Sequence, residues 1–229
     1  MSGRGFGFWA RSLAPALALV LVPTLAFAAA GLGHVGHARW TDNYDADFRK
    51  YSKRYFGPGF DWRWFKAQAI AESRLRPGAY NPSGATGLMQ ILPSTFKEIQ
   101  GDNPAFTNLH DPRWNIAAGI FYNRYLFERW RKRIGHGDEH LLYTFASYNA
   151  GFGRVSKAYR RAGGKAGKVL PWRQLAPYVP EETREYVKKI QRLMHPAFDL
   201  QANLDQRGLI QKDAGRLSLP AGRANPRSS

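Results

Sequence analysis

Apolar positions in residues 45–55 fall at Phe48, Tyr51 and Tyr55, an i, i+3, i+7 spacing that predicts one helix face. Gly57-Pro58-Gly59 ends it. Residues 62–73 carry a second stripe, Trp62, Phe65 and Ala69, with Asp61 placed as the N-cap. The next position of that stripe is Glu72. Pro77, Gly78, Asn81, Pro82 and Gly84 make residues 77–87 a loop, and Pro93 starts a short helix over 94–100. Asp111 followed by Pro112 predicts an N-cap with proline at the first helical position, opening a long helix through Trp130. Asp138 and Glu139 open another through about Tyr148, which Gly151 to Gly153 breaks. Residues 155–161 are expected to be helical, 163–167 a flexible basic loop, and 181–194 a last helix started by Pro180. No internal repeat is visible. The pattern predicts a mainly α fold with one domain over residues 44–195. Residues 31–43 are expected to be a loose linker and 196–229 a polar, flexible tail.

The chain has 229 residues, enough for one domain with a real core. Its first thirty residues hold Arg4 and Arg11, no acid, an almost wholly apolar run from Leu13 to Leu25, and small-residue cleavage patterns at Ala26-Phe27-Ala28 and Ala28-Ala29-Ala30. That order predicts a signal peptide, and hence export across the inner membrane to the periplasm. The apolar stretch is short for a membrane span, and Pro15 and Pro23 weaken it as a helix. An uncleaved anchor is the alternative. No cysteine is present, which excludes disulfides, cysteine-based zinc sites and a lipid-modified cysteine, so a lipoprotein is not expected. Removing the two N-terminal charges from a net +17 leaves +15, an excess that attracts polyanions. Nucleic acid is one such partner. Export favours bacterial envelope polymers instead. With 7 Trp, 11 Tyr and 14 Phe, some rings are available to line a sugar-binding groove.

Glu72 is the first candidate for chemistry. It continues an inward-facing stripe and sits in the last turn of its helix, where the dipole disfavours negative charge. Burial and dipole both raise a carboxyl pKa, as a general acid requires. The alternative is a solvated or salt-bridged glutamate paired with Arg74 or Arg76.

Four segments follow in order. They are Glu72-Ser73, Gly87-Leu88-Met89-Gln90, Tyr148-Asn149-Ala150-Gly151 and Glu182-Thr183-Arg184-Glu185-Tyr186-Val187, and a fifth, weaker one, Asn115-Ile116-Ala117-Ala118-Gly119, lies between Gln90 and Tyr148. Together they resemble the soluble lytic transglycosylases, whose catalytic domain is similar to goose-type lysozyme. The resemblance covers residues 44–194 and implies a lysozyme-like single catalytic domain acting on peptidoglycan glycan strands. It implies Glu72 as the catalytic acid/base. It implies Met89 and Gln90 beside the sugars at the cleaved bond, Tyr148 and Asn149 near the carboxyl and the substrate N-acetyl group, and Tyr186 close to Glu72. It implies a binding or structural role for Ser73. One departure is visible: the family commonly has Ala where this chain has Ser147. Taken as residues alone, Met89 also suits core filling, Tyr148 a helix-end core position, Asn149 a helix stop, and Tyr186 packing one turn before Ile190.

A single acid suffices for the family's reaction, in which the substrate's N-acetyl group assists and the sugar's own C6 hydroxyl attacks to give a 1,6-anhydro product. No cofactor is implied. The rivals are a hydrolysing goose-type-like lysozyme, a non-catalytic peptidoglycan-binding protein, and a nucleic-acid binder suggested by charge alone. His34 with His37 and His136 with His140 lack a His-Glu-x-x-His pattern, so no metal site is expected. Gly151-Phe152-Gly153 is no dinucleotide fingerprint, and Gly-x-Ser-x-Gly is absent. The basic runs 129–133 and 160–168 read as solvated faces or as a surface for anionic wall polymers.

Overall fold

Three helices carry runs of consecutive buried residues, which marks them as the interior of a helical bundle rather than its surface. These are α2 (Arg63–Ser73), buried continuously over 65–70, α4 (Pro112–Ile134), over 115–120, and α5 (His140–Ala150), over 143–147. In this computed structural model residues 33–135 and 139–195 are described. Around the three lie α1 (Asp45–Phe56), α3 (Pro93–Asp102), α6 (Phe152–Arg161), the short α7 (Trp172–Leu175) with a 3-10 turn at Ala176–Tyr178, and α8 (Glu181–Met194). Helix α4 packs on α1 and α5, while α8 covers α2 and α5. Among the described residues the only extended pairing is two isolated antiparallel bridges, Tyr80 with Thr86 and Thr86 with Ile91. Among the described residues the fold is mainly α.

Local chemistry accounts for the boundaries. The Asp111 carboxylate accepts from the backbone N–H groups of Arg113 and Trp114 at 2.8 and 3.2 Å, and Pro112 fills the first turn of α4. That helix runs past Trp130 because Ile134 is buried, and it stops at Gly135 with φ 84°. Asp61 accepts from the Arg63 backbone at 3.1 Å, and the same guanidinium holds its carboxyl below the ordinary range. Buried Lys66 pairs with Asp45 at 2.6 Å, tying α2 to α1.

Several expectations change. The break after α5 is Gly151 alone, with φ 85°, and α6 starts at Phe152. Residues 33–43 are not a loose linker: Val35 is buried and donates to the Leu193 carbonyl at 2.8 Å. The basic loop is held in place, since Gly167 donates to the Arg133 carbonyl at 2.9 Å and the Tyr159 hydroxyl sits on the carbonyls of Lys165 and Lys168. Nothing in the hydrophobic pattern announced α7. The signal segment, the tail, Asp138 and His136 lie outside the described residues.

Candidate active site

Helix α2 ends abruptly beyond Glu72. Arg74 and Leu75 both adopt left-handed backbone, φ 56° and 58°, a costly pair for side chains with a Cβ. The turn folds residues 76–92 back over the end of the helix. Ser73 donates to the Leu88 carbonyl at 2.8 Å, pinning the returning chain to α2. From the other side Asn115 grips the same chain: its Oδ1 accepts from Met89 N at 2.8 Å, and its Nδ2 donates to the carbonyls of Thr86 and Leu109 at 3.0 and 3.1 Å. Two glycines make this approach possible. A Cβ on Gly87 would fall 2.4 Å from Asn115, and one on Gly119 would fall 2.8 Å from Met89.

Between the returning chain, α5 and α8 opens a cleft of about 420 Å³. Glu72 lies in it, partly buried, with Gln90, Tyr148, Asn149 and Tyr186 also along its walls. Tyr186 donates to Glu72 Oε1 at 2.6 Å. Tyr148 donates to the Met89 carbonyl at 2.8 Å and stacks edge-on against Tyr122. The Asn149 Oδ1 accepts from Thr183 at 2.7 Å, which orients its amide. Gln90 has φ 47°, and its amide donates to the carbonyls of Gly87 and Ala79 at 2.9 and 3.2 Å. Ser73 and Met89 are different. Both side chains are buried and neither lines the cleft: Ser73 takes the structural one of its two expected roles, and Met89 takes the core-filling position rather than one beside the sugars.

The electrostatics single out Glu72. Burial pushes its carboxyl up to about 7, against the lowering effects of the Tyr186 hydrogen bond and the Lys189 charge, while nearby Glu182 raises it further. Burial also pushes the Tyr148 and Tyr186 hydroxyls well up, reinforced by Glu72. Lys189, lowered chiefly by burial, donates to the Ala71 carbonyl at 3.0 Å. A carboxylic acid that keeps its proton near neutrality, beside a groove, can protonate a leaving oxygen and later take a proton back.

A family model described as the transglycosylase SLT domain matches residues 49–171. The chain belongs to this family. It is similar to the membrane-bound lytic murein transglycosylase F of Shewanella pealeana, 31% identical over 147 residues, covering 64% of this chain and 28% of that protein. The protein of the same name from Vibrio campbellii is 26% identical over 190 residues, 75% of this chain and 33% of that one. The chain thus spans about a third or less of the length of these relatives. Among solved structures it superposes on the 70 kDa soluble lytic transglycosylase of Escherichia coli with a TM-score of 0.55 at 28% identity, covering 66% of this chain and 23% of that one. An inactive mutant of the lytic transglycosylase Slt from Pseudomonas aeruginosa, 24% identical, matches in fold with a TM-score of 0.57 over 72% of this chain and 25% of that one.

Several site residues escaped the hydrophobic pattern. Gln68, Asn115, Asn123 and Thr183 are fully buried polar groups, and Glu182, Glu185 and Lys189 reach the cleft from α8. Gln68 had a signal: an uncharged polar residue one turn before Glu72 in an otherwise mostly apolar run. Among the described residues no group of three His, Cys, Asp or Glu could hold a metal ion. His34 and His37 use their Nδ1 atoms to accept backbone N–H groups at 3.1 Å in local turns. No described helix is long and apolar enough to cross a membrane.

Proposed function

We propose that this SLT-domain protein is a peptidoglycan lytic transglycosylase with Glu72 as its acid/base. The observation that carries the reading is the partly buried Glu72, held on Oε1 by Tyr186 and pushed up to about 7, facing a cleft large enough for sugar rings. Protonated Glu72 gives its proton to the glycosidic oxygen between N-acetylmuramic acid and N-acetylglucosamine, and the C1–O bond breaks. The substrate's N-acetyl oxygen closes on C1, as in substrate-assisted glycosidases. Ionised Glu72 then removes the C6 hydroxyl proton, O6 attacks C1, the bond from C1 to the N-acetyl oxygen breaks to restore the N-acetyl group, and the 1,6-anhydro ring forms. Glu72 ends protonated again, and no water or cofactor is consumed. Gln90, Tyr148, Asn149 and Tyr186 bind or orient the sugars and the acid, while Ser73 and Met89 hold the wall behind them.

The flanks support export: residues 1–30 read as a signal peptide, and residues 44–195 hold all the motifs. The charge supports a polyanionic environment. Between Glu139 and Glu181 there is no acidic residue, while Arg154, Lys157, Arg160, Arg161, Lys165 and Lys168 are all exposed. We assign this face to anionic envelope polymers in the periplasm.

Glu182 and Glu185 at the cleft favour one second reading, hydrolysis of the same bond with one of them positioning water. Mass spectrometry of fragments released from purified sacculi separates the two. Anhydro ends are expected. Reducing ends would replace the proposal with a lysozyme, and no release would leave a binding protein.

A further inference from the structure

Behind Glu72 a file of polar side chains runs into the core. Tyr186 Oη donates to Glu72 Oε1 at 2.6 Å, Gln68 Nε2 donates to Tyr186 Oη at 3.1 Å, and Asn123 Nδ2 donates to Gln68 Oε1 at 2.8 Å. The same Asn123 amide donates to the Gly119 carbonyl at 2.9 Å. Gln68 and Asn123 are both 0% exposed, so protein groups alone set their orientation.

The oxygen and nitrogen ends of an amide are told apart by what they face. Here the file ends on a backbone carbonyl, which can only accept. Gly119 O therefore demands the NH₂ end of Asn123. That NH₂ also meets the oxygen of Gln68, so Gln68 turns its own NH₂ to the Tyr186 oxygen. Tyr186 accepts there and sends its proton to Glu72. Asn123 Oδ1 accepts from no described residue. Reversing the amide would not relieve it, because oxygen would then face two acceptors and the NH₂ would be the unpaired end.

We propose that Asn123 and Gln68 are positioning residues that decide which oxygen of Glu72 carries the acid proton. Oε1 is held as an acceptor, since a proton there would meet the Tyr186 proton, so the transferable proton resides on Oε2. Breaking the file lets the Tyr186 hydroxyl turn and accept from Glu72 instead. The acid proton then partitions to the wrong oxygen, and the ionised carboxyl loses its best donor. This inference rests on Glu72 being the acid/base proposed above. Facing Glu72 are Tyr148 from α5 and Tyr186, Glu182 and Lys189 from α8, with Gln68 one turn back on α2. The file acts through Tyr186 alone.

The test compares Gln68→Met, Asn123→Leu, Tyr186→Phe and their pairings on a soluble glycan oligosaccharide across pH. In each single variant kcat/KM falls about tenfold or more, the size of losing a hydrogen bond to a charged group, and the alkaline limb moves to higher pH. In a Tyr186→Phe background, Gln68→Met has no further effect, because the link it acts through is gone. An additive loss, or single variants whose pH profile does not move, overturns the inference. The Gln68→Met/Asn123→Leu pair replaces both buried partners with apolar groups and keeps the fold if a single change does not. The unmutated protein supplies a second readout: the Gln68 side-chain amide NMR signal is expected to titrate with the Glu72 midpoint, and a flat signal overturns the proposal. If the unmutated protein releases no product, the acid/base assignment fails instead, which is a distinguishable result.

Discussion

Trp130 donates its indole N–H to the hydroxyl of Ser147 across 2.8 Å, with both side chains buried. This is the position where the family commonly has Ala, so the departure supplies a partner for an otherwise stranded nitrogen. Ser147→Ala is expected to cost about 1–3 kcal/mol in denaturant unfolding, the penalty for an unsatisfied buried donor. Turnover by the folded fraction should stay near the unmutated value, because Ser147 does not line the cleft.

Glu72→Gln should fold and release no muropeptides, a loss of at least about 10²–10⁴-fold. Activity within tenfold of the unmutated protein would contradict the assignment. The variant also has a stability signature. The Glu72 carboxyl moves from 4.5 to about 7 on folding. Between those values the native state holds a proton that the unfolded chain has released, so stability falls as pH rises through the window and is level above it. Glu72→Gln lacks this slope. Its advantage should grow from about pH 4.5 to about pH 7 and reach roughly 3 kcal/mol. Catalysis by the unmutated protein should decline above about pH 7, as the acid form is depleted.

Gly119→Ala offers a diagnostic sign. In an ordinary helix interior the change stabilises by roughly 1 kcal/mol. Here the added methyl lands 2.8 Å from Met89, so overpacking should reverse the sign and destabilise by about 1–3 kcal/mol. Because Met89 precedes Gln90 and supplies the carbonyl that Tyr148 holds, activity should fall as well. Thermal melts and initial rates check both. A stabilised, fully active variant would mean that this wall of the cleft yields easily.

Charge reversal at Arg160, Arg161, Lys165 and Lys168 should weaken sedimentation with insoluble wall, and the deficit should shrink as salt rises. At physiological ionic strength charges beyond about 8 Å are mostly screened. Turnover of a short soluble glycan should change little. If it collapsed in a folded protein, the basic loop would belong to the reacting centre.

The helices other than α7, and their order, were legible because stripes, caps and turn residues obey local rules; Asp111 with Pro112 marks the start of α4 in sequence and structure alike. Glu72 was legible as a carboxylate on an apolar stripe. What escaped notice depends on pairing across the chain. Gln68 and Asn123 look like stray polar residues until α2 and α4 come together, and Thr183 acquires meaning only against Asn149. Ser73 and Met89 belong to the right motifs, yet their side chains turn inward, a matter of rotamer and packing that spacing does not encode. Val35 reads as part of a linker in the sequence because a single apolar residue shows no period.

The motifs from Glu72 to Asn149 end well before residue 186, which supplies the hydroxyl that holds Glu72. Inheritance and engineering both feel this. A recombination joint placed between the two would keep every motif from Glu72 to Asn149 and still exchange the hydroxyl on the acid, together with Glu182 and Lys189, which tune it. Chimeras sharing an identical front portion would then differ in the pH at which they work, according to the donor of the final helix.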